Sequence, residues 1–148
     1  MKGYEQHVIQ VDEMTAFMDI KHPLAEKDLL EWRDLDGYQL ATFNKTFTTY
    51  ELISEKLKRE KVKGQVEFTS SSWDYLIEST RDNDIVTLLP RPVDQYLNLD
   101  YFKVIHFRDF VPFNFHLCRK IKDKYGDVET TVYETILNFF YQPIEPPL

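Results

Sequence analysis

The chain has 148 residues, 43% of them hydrophobic and 15% aromatic, enough apolar surface for a single folded domain and too short for two substantial ones. Its formal charge of −7, from 18 Lys and Arg against 25 Asp and Glu, repels a phosphate backbone and excludes nucleic-acid binding by this chain itself. No stretch approaches a membrane span and Met1–His7 has no apolar core of the signal-peptide kind, which points to a cytoplasmic protein with no membrane partner.

In chain order, Met14–Ile20 reads as a strand and His22-Pro23-Leu24-Ala25 as a turn. Asp28–Leu35 reads as a short helix with Leu29, Leu30 and Trp32 on its apolar side, and Tyr38–Phe43 as the next strand. The spacing of Leu52, Ile53 and Leu57 predicts a helix from Thr49 to about Lys63, stopped by Gly64. A strand follows at Gln65–Phe68, then a helix at Trp73–Thr80 with Trp73, Leu76 and Ile77 as its buried stripe. Ile85–Leu89 is a mostly apolar run of the kind covered on both faces, ended by Pro90 and Pro92. Phe102–Phe107 and Phe113–Arg119 are further strands, and Val128–Tyr141 is a last helix with Val132, Ile136, Leu137 and Phe140 on one side. Alternation of this type implies an α/β fold, a mostly parallel sheet with helices on both faces.

Two polar runs stand out, Asn44-Lys45-Thr46-Phe47-Thr48-Thr49 and Phe68-Thr69-Ser70-Ser71-Ser72-Trp73-Asp74, each between a strand and an amphipathic helix. Free N–H groups and the positive end of the helix dipole gather at such junctions, and hydroxyls add donors. Thr49 and Ser72 also fit as simple N-caps. If the two strands are neighbours, both helix starts meet in one crevice beyond the strand ends, with Phe47 as an apolar wall. The candidate effector-binding residues are therefore Thr46, Phe47, Thr48, Thr49, Thr69, Ser70 and Ser71.

Elsewhere the chemistry is sparse. Cys118 is the only cysteine, which excludes an internal disulfide, and it is expected to be buried on its strand. His7, His22, His106 and His116 show no ligand spacing, and the four glycines form no phosphate loop, so no metal and no cofactor is expected. Ser70, Ser71 and Ser72 lie in no nucleophile-elbow context, so no catalytic residue is assigned and the chain does not read as an enzyme. The basic run Glu55–Lys63 is interrupted by Glu55 and Glu60 and reads as a solvated helix face.

The order His22-Pro23-Leu24-Ala25, Asp34-Leu35, Phe43-Asn44-Lys45, Phe68–Asp74 and Ile85-Val86-Thr87-Leu88-Leu89-Pro90 resembles the effector-binding (substrate-binding) domain of LysR-type transcriptional regulators. The resemblance runs from about Val11 to the last helix. It implies a periplasmic-binding-protein type 2 fold of two α/β lobes joined by crossover strands, with a small-molecule effector bound and no chemistry performed. By this resemblance residues 34–107 form the second lobe, 11–20 and 113–119 the crossover strands, and 128–141 a helix of the other lobe. The family's DNA-binding domain and most of its first lobe have no counterparts here, so the chain reads as a fragment, with DNA reached only through the missing domain. The apolar residues Val132, Tyr133, Ile136, Leu137, Phe139, Phe140 and Tyr141 exceed what one lobe covers and suggest a homo-oligomer, a dimer first. The competing readings are an α/β enzyme of similar architecture and a stand-alone protein-interaction domain.

Overall fold

The computed structural model describes residues 2–141, and its contacts divide the chain into two units, residues 13–113 and residues 2–12 with 114–141. The strands are β1 (Tyr4–Gln10), β2 (Met14–Asp19), β3 (Leu29–Leu30), β4 (Gln39–Phe43), β5 (Val66–Ser70), β6 (Ile85–Pro90), β7 (Phe102–Phe107) and β8 (Phe115–Lys120). The helices are α1 (Thr48–Arg59), α2 (Trp73–Thr80) and α3 (Asp127–Phe140). Shorter 3-10 turns lie at Pro23–Glu26, Trp32–Leu35 and Arg91–Tyr96.

In the larger unit six strands form one sheet in the order β3-β7-β2-β6-β4-β5. β4 is parallel to β5 and β6, β3 is parallel to β7, and β2 is antiparallel to both its neighbours. Five strands thus run one way and β2 runs against them. Because side chains alternate across a strand, each strand feeds two cores. Met14, Ala16 and Met18 of β2, Leu40 of β4, Val86 and Leu88 of β6, and Ile105 of β7 join Ile53 and Leu57 of α1 on one face. Phe17, Ala41, Leu89 and Phe102 join Leu76 and Ile77 of α2 on the other. Three threonines inside the sheet are fully buried, and each hydroxyl donates to a strand carbonyl: Thr15 to Leu89, Thr42 to Leu88 and Thr87 to Ala41. Buried hydroxyls are tolerated when so paired.

Several local expectations are corrected. Asp28–Leu35 is not a helix. Leu29 and Leu30 pair with His106 and Phe107 of β7, and a capping box between Glu31 and Asp34 then starts a 3-10 turn at Trp32. Trp32 lies flat on Phe107, with centroids 3.9 Å apart, and its Nε1 donates to the Asp109 carbonyl at 2.7 Å. α1 stops at Arg59, before Gly64, because Lys61 adopts the left-handed conformation at φ 54° that reverses the chain. Leu52 and Trp73, expected in buried stripes, are 38% and 37% exposed, since α1 and α2 bury the neighbouring turns through Ile53, Leu57, Leu76 and Ile77.

The smaller unit pairs β1 antiparallel with β8, with a register irregularity between Val8 and Gln10. β1 has no counterpart among the expected elements. Its run Glu5-Gln6-His7 followed by Val8-Ile9 shows no strand alternation, and its partner lies more than a hundred residues along the chain. Phe113 precedes β8 and packs against the core of the larger unit. Cys118 is exposed, correcting the expected burial, because a two-stranded ribbon leaves alternate side chains uncovered. On α3 only Tyr133 is buried, while Val132 and Phe140 of the expected apolar side are 53% and 41% exposed. Tyr133 and Tyr125 hold the Arg119 guanidinium at 4.1 and 3.9 Å from their ring centroids, and Glu5 pairs with it at 2.7 Å.

Two stability measurements test this packing. Leu88→Ala removes a fully buried side chain between α1 and the sheet, and denaturant unfolding is expected to show a loss of about 2–5 kcal/mol. Lys61→Gly relieves the left-handed strain at the end of α1 and is expected to raise stability by about 0.5–1 kcal/mol in the same assay.

Candidate functional site

The two polar runs begin side by side because β4 and β5 are adjacent and parallel. Phe43 stands opposite Ser70 at their carboxyl ends, and the Asn44 N–H donates to the Ser70 carbonyl at 3.1 Å. Asn44 then turns the chain into α1: its Oδ1 accepts the Thr46 N–H at 3.1 Å and the Thr46 hydroxyl at 2.5 Å, and the Phe47 N–H donates to its carbonyl at 3.0 Å. This is the side-chain turn that asparagine forms readily at loop starts.

α1 opens with Phe47 at its N-cap position, and Phe47 makes no side-chain cap bond. Its ring stacks on Phe43 at 4.6 Å and remains 38% exposed. The first N–H groups of a helix have no partner within it, and here no hydroxyl or carboxylate of the cap residue meets them. Thr49, in the first turn, is 3% exposed and its hydroxyl has no hydrogen-bond partner. Thr49 is therefore not the N-cap. Thr46 and Thr48 are exposed, the exposed Lys45 places its ammonium 5.7 Å from the Tyr50 ring centroid, and the exposed Glu51 carboxylate in the first turn competes for the dipole.

The start of α2 differs. Ser72 is the N-cap residue, but its hydroxyl donates to the Asp74 carboxylate, which also accepts the Tyr75 N–H at 3.0 Å. The Ser72 hydroxyl, followed by the Tyr75 N–H, holds the Asp74 carboxyl below its ordinary range. Ser70 Oγ accepts the Ser72 N–H at 3.1 Å, and Thr69 and Ser71 are exposed. This helix start thus carries its own anion. A carboxylate two residues after a serine cap is the sign in the sequence that such a helix start carries its own anion.

The clefts described on the larger unit lie elsewhere. One of about 580 Å³ is floored by Phe102 and Val104 beside Ile20 and Leu99, and another of about 340 Å³ lies between Trp73, Tyr96 and Tyr101. A third, of about 280 Å³, runs along α1 past Tyr50, Ser54, Leu57 and Lys58. Among the described residues no group of three or more His, Cys, Asp or Glu could hold a metal ion, and no helix is long and apolar enough to cross a membrane.

Comparison with known proteins supplies the context for this geometry. A family model, the LysR substrate binding domain, matches residues 1–124. No protein of curated function matches the chain. Among solved structures, the regulatory domain of CcmR from Synechocystis PCC6803, in complex with 2-PG, aligns with a TM-score of 0.83 at 11% identity, over 94% of this chain and 68% of that one. The effector binding domain of QuiR in complex with shikimate aligns with a TM-score of 0.76 at 15% identity, over 93% of this chain and 66% of that one. HinK, a LysR family transcriptional regulator from Pseudomonas aeruginosa, aligns with a TM-score of 0.74 at 12% identity, over 94% of this chain and 48% of that one. The chain therefore spans about two thirds of such regulatory domains and about half of HinK, and the likeness fixes the fold as periplasmic-binding-protein type 2. With 124 of its 148 residues matched, the chain belongs to the LysR substrate binding domain family.

Proposed function

We propose that this chain senses a small anionic metabolite for a LysR-type transcriptional regulator, binding it at the start of α1 and performing no chemistry on it. The observation that carries this reading is the buried, unpartnered hydroxyl of Thr49 in the first turn of a helix whose cap supplies no side-chain bond. Unpaired buried hydroxyls are costly, and a ligand oxygen would relieve that cost while meeting the free N–H groups of the same turn. Threonine has two accessible χ1 wells in a helix, so one rotamer step brings the hydroxyl toward a ligand. Phe47 offers an exposed ring for the ligand's apolar part, with Thr48 as an exposed donor beside it and Thr46 held at the rim by its bonds to Asn44 Oδ1. Thr69, Ser70 and Ser71 lie next to this point through the pairing of β5 with β4, and they form the second wall of the site. Two family members of the same fold are described in complex with 2-PG and with shikimate, which supports an effector of this size.

In this reading the larger unit, residues 13–113, is the second lobe of the effector domain, since β2 lies inside its sheet and is not a crossover strand, and DNA is contacted by a separate domain of the regulator. The protein acts in the cytoplasm, where effector binding shifts the population of regulator conformations.

Thr49→Val is the discriminating variant because it keeps the side-chain shape and deletes only the hydroxyl. Calorimetry with shikimate, 2-PG and related small carboxylates and phosphates is expected to show about tenfold weaker binding of whichever ligand the parent chain takes, with unfolding temperature unchanged or raised. Equal affinity in the variant would place the ligand elsewhere. The exposed apolar residues of α3, Val128, Val132, Phe139 and Phe140, lead us to expect a homodimer. Light scattering at micromolar concentration should return twice the chain mass, and a monomer would refute it.

A further inference from the structure

His22 stands where β2 leads into the 3-10 turn Pro23–Glu26, and it is 3% exposed. Both of its ring nitrogens are engaged. Nδ1 lies 3.0 Å from the Leu24 N–H, a group that can only donate, and Nε2 lies 3.3 Å from the Asp84 carbonyl, which can only accept. This pattern admits one state, a neutral ring with its proton on Nε2 and a lone pair on Nδ1. The ring also packs against Tyr38 at 4.7 Å. One side chain thus ties the 23–26 turn to the segment before β6, 62 residues away.

We propose that His22 is a proton-operated latch: a proton added to Nδ1 sets an N–H against the Leu24 N–H, and so frees the 23–26 turn from the segment around Asp84. The one bond formed is Nδ1–H, its proton comes from solvent, and the ring becomes a cation. The charged and titratable groups around the ring are Asp19, whose carboxylate accepts the Lys21 and Asp82 N–H groups at 2.7 Å each, the Lys21–Asp82 ion pair at 3.2 Å, Asp84 and the Tyr38 phenol. Burial disfavours the charged ring and outweighs the Asp84 carbonyl, Asp84 and Asp19, so His22 titrates below the ordinary histidine value of about 6.5. The latched form binds fewer protons than the open one. Its stabilisation is therefore complete above that ordinary value and is lost as pH falls through the lower value of the folded state. Leu24 and Ala25, held in the core by this turn, are the residues that opening exposes.

Proton and nitrogen NMR of the whole chain between about pH 7.5 and about pH 5 tests the latch. The protection factor of the Leu24 amide is expected to fall by up to about tenfold per pH unit between the ordinary histidine value of about 6.5 and the lower His22 midpoint, and to level off below it, while the Leu88 amide stays protected. His22→Asn places an amide oxygen near the Nδ1 position and is expected to keep the Leu24 bond with no pH response. A Leu24 amide that stays protected through the titration of His22 would overturn the proposal, as would an unchanged pH response in the variant. Should His22→Asn not fold, the titration of the parent chain decides alone.

Discussion

The larger unit depends on a single reversed strand. In the order β3-β7-β2-β6-β4-β5, every ladder between the β7 side and the β6 side passes through β2. β2 is antiparallel to both neighbours, and all six of its residues are buried. Three of its side chains feed the core under α1, and Phe17 feeds the core under α2. Its one internal hydroxyl, on Thr15, is satisfied by the Leu89 carbonyl of a neighbouring strand. A polar substitution at Ala16 or Phe17 would therefore disturb one core and the central ladder together. An equal change at an edge strand would disturb only one side.

The parallel half of the sheet builds outward from that strand and brings the two polar runs together. Register on β4 is set by Leu40 and Ala41, which must enter opposite cores, and a one-residue slip would reverse both. Once β4 is in register with β6, β5 can only add at the free edge, and its last residue falls opposite Phe43. Beneath α1 the Lys56 ammonium, 9% exposed, meets the carboxylates of Asp109 and Glu60 and lies 5.8 Å from the Trp32 ring centroid. Burial opposes its charge, and the two carboxylates outweigh burial, so its pKa is raised. This pair of partners seats the helix by its last turn, and among the described residues no ion pair anchors its first turn.

How much of this was legible in the sequence follows from where the pairing partners lie. β2, β4, β6, β7 and α2 are readable to within about two residues, because each carries its period in its own side chains. The β3 segment reads as helix in the sequence because Leu29, Leu30 and Trp32 fit either period, and only the ladder to β7 decides. β1 is not legible in the sequence for the same kind of reason. Its partner β8 is far along the chain, and Tyr4–Gln10 has too few apolar residues to announce a covered face. The exposure of Cys118 follows from the narrowness of that two-stranded sheet. Nothing in the local sequence around Cys118 encodes how many strands lie beside it.

The two helix starts show a subtler limit. As strings, Thr46–Thr49 and Ser70–Asp74 look like versions of one device, small hydroxyls ahead of an amphipathic helix. Their difference lies in what occupies the cap and the residue two places later. At α2 a serine cap and Asp74 close on each other, and a carboxylate already sits among the donors of the first turn. At α1 the cap is an aromatic ring with no hydrogen-bonding group, and the only acid of the first turn, Glu51, comes two residues further along. An anion approaching α2 must displace Asp74 or meet its charge, whereas at α1 it meets free N–H groups and an orphaned hydroxyl. If a small anion binds between them, α1 supplies most of the attraction, and the hydroxyls of β5 and its loop set which ligand shapes fit.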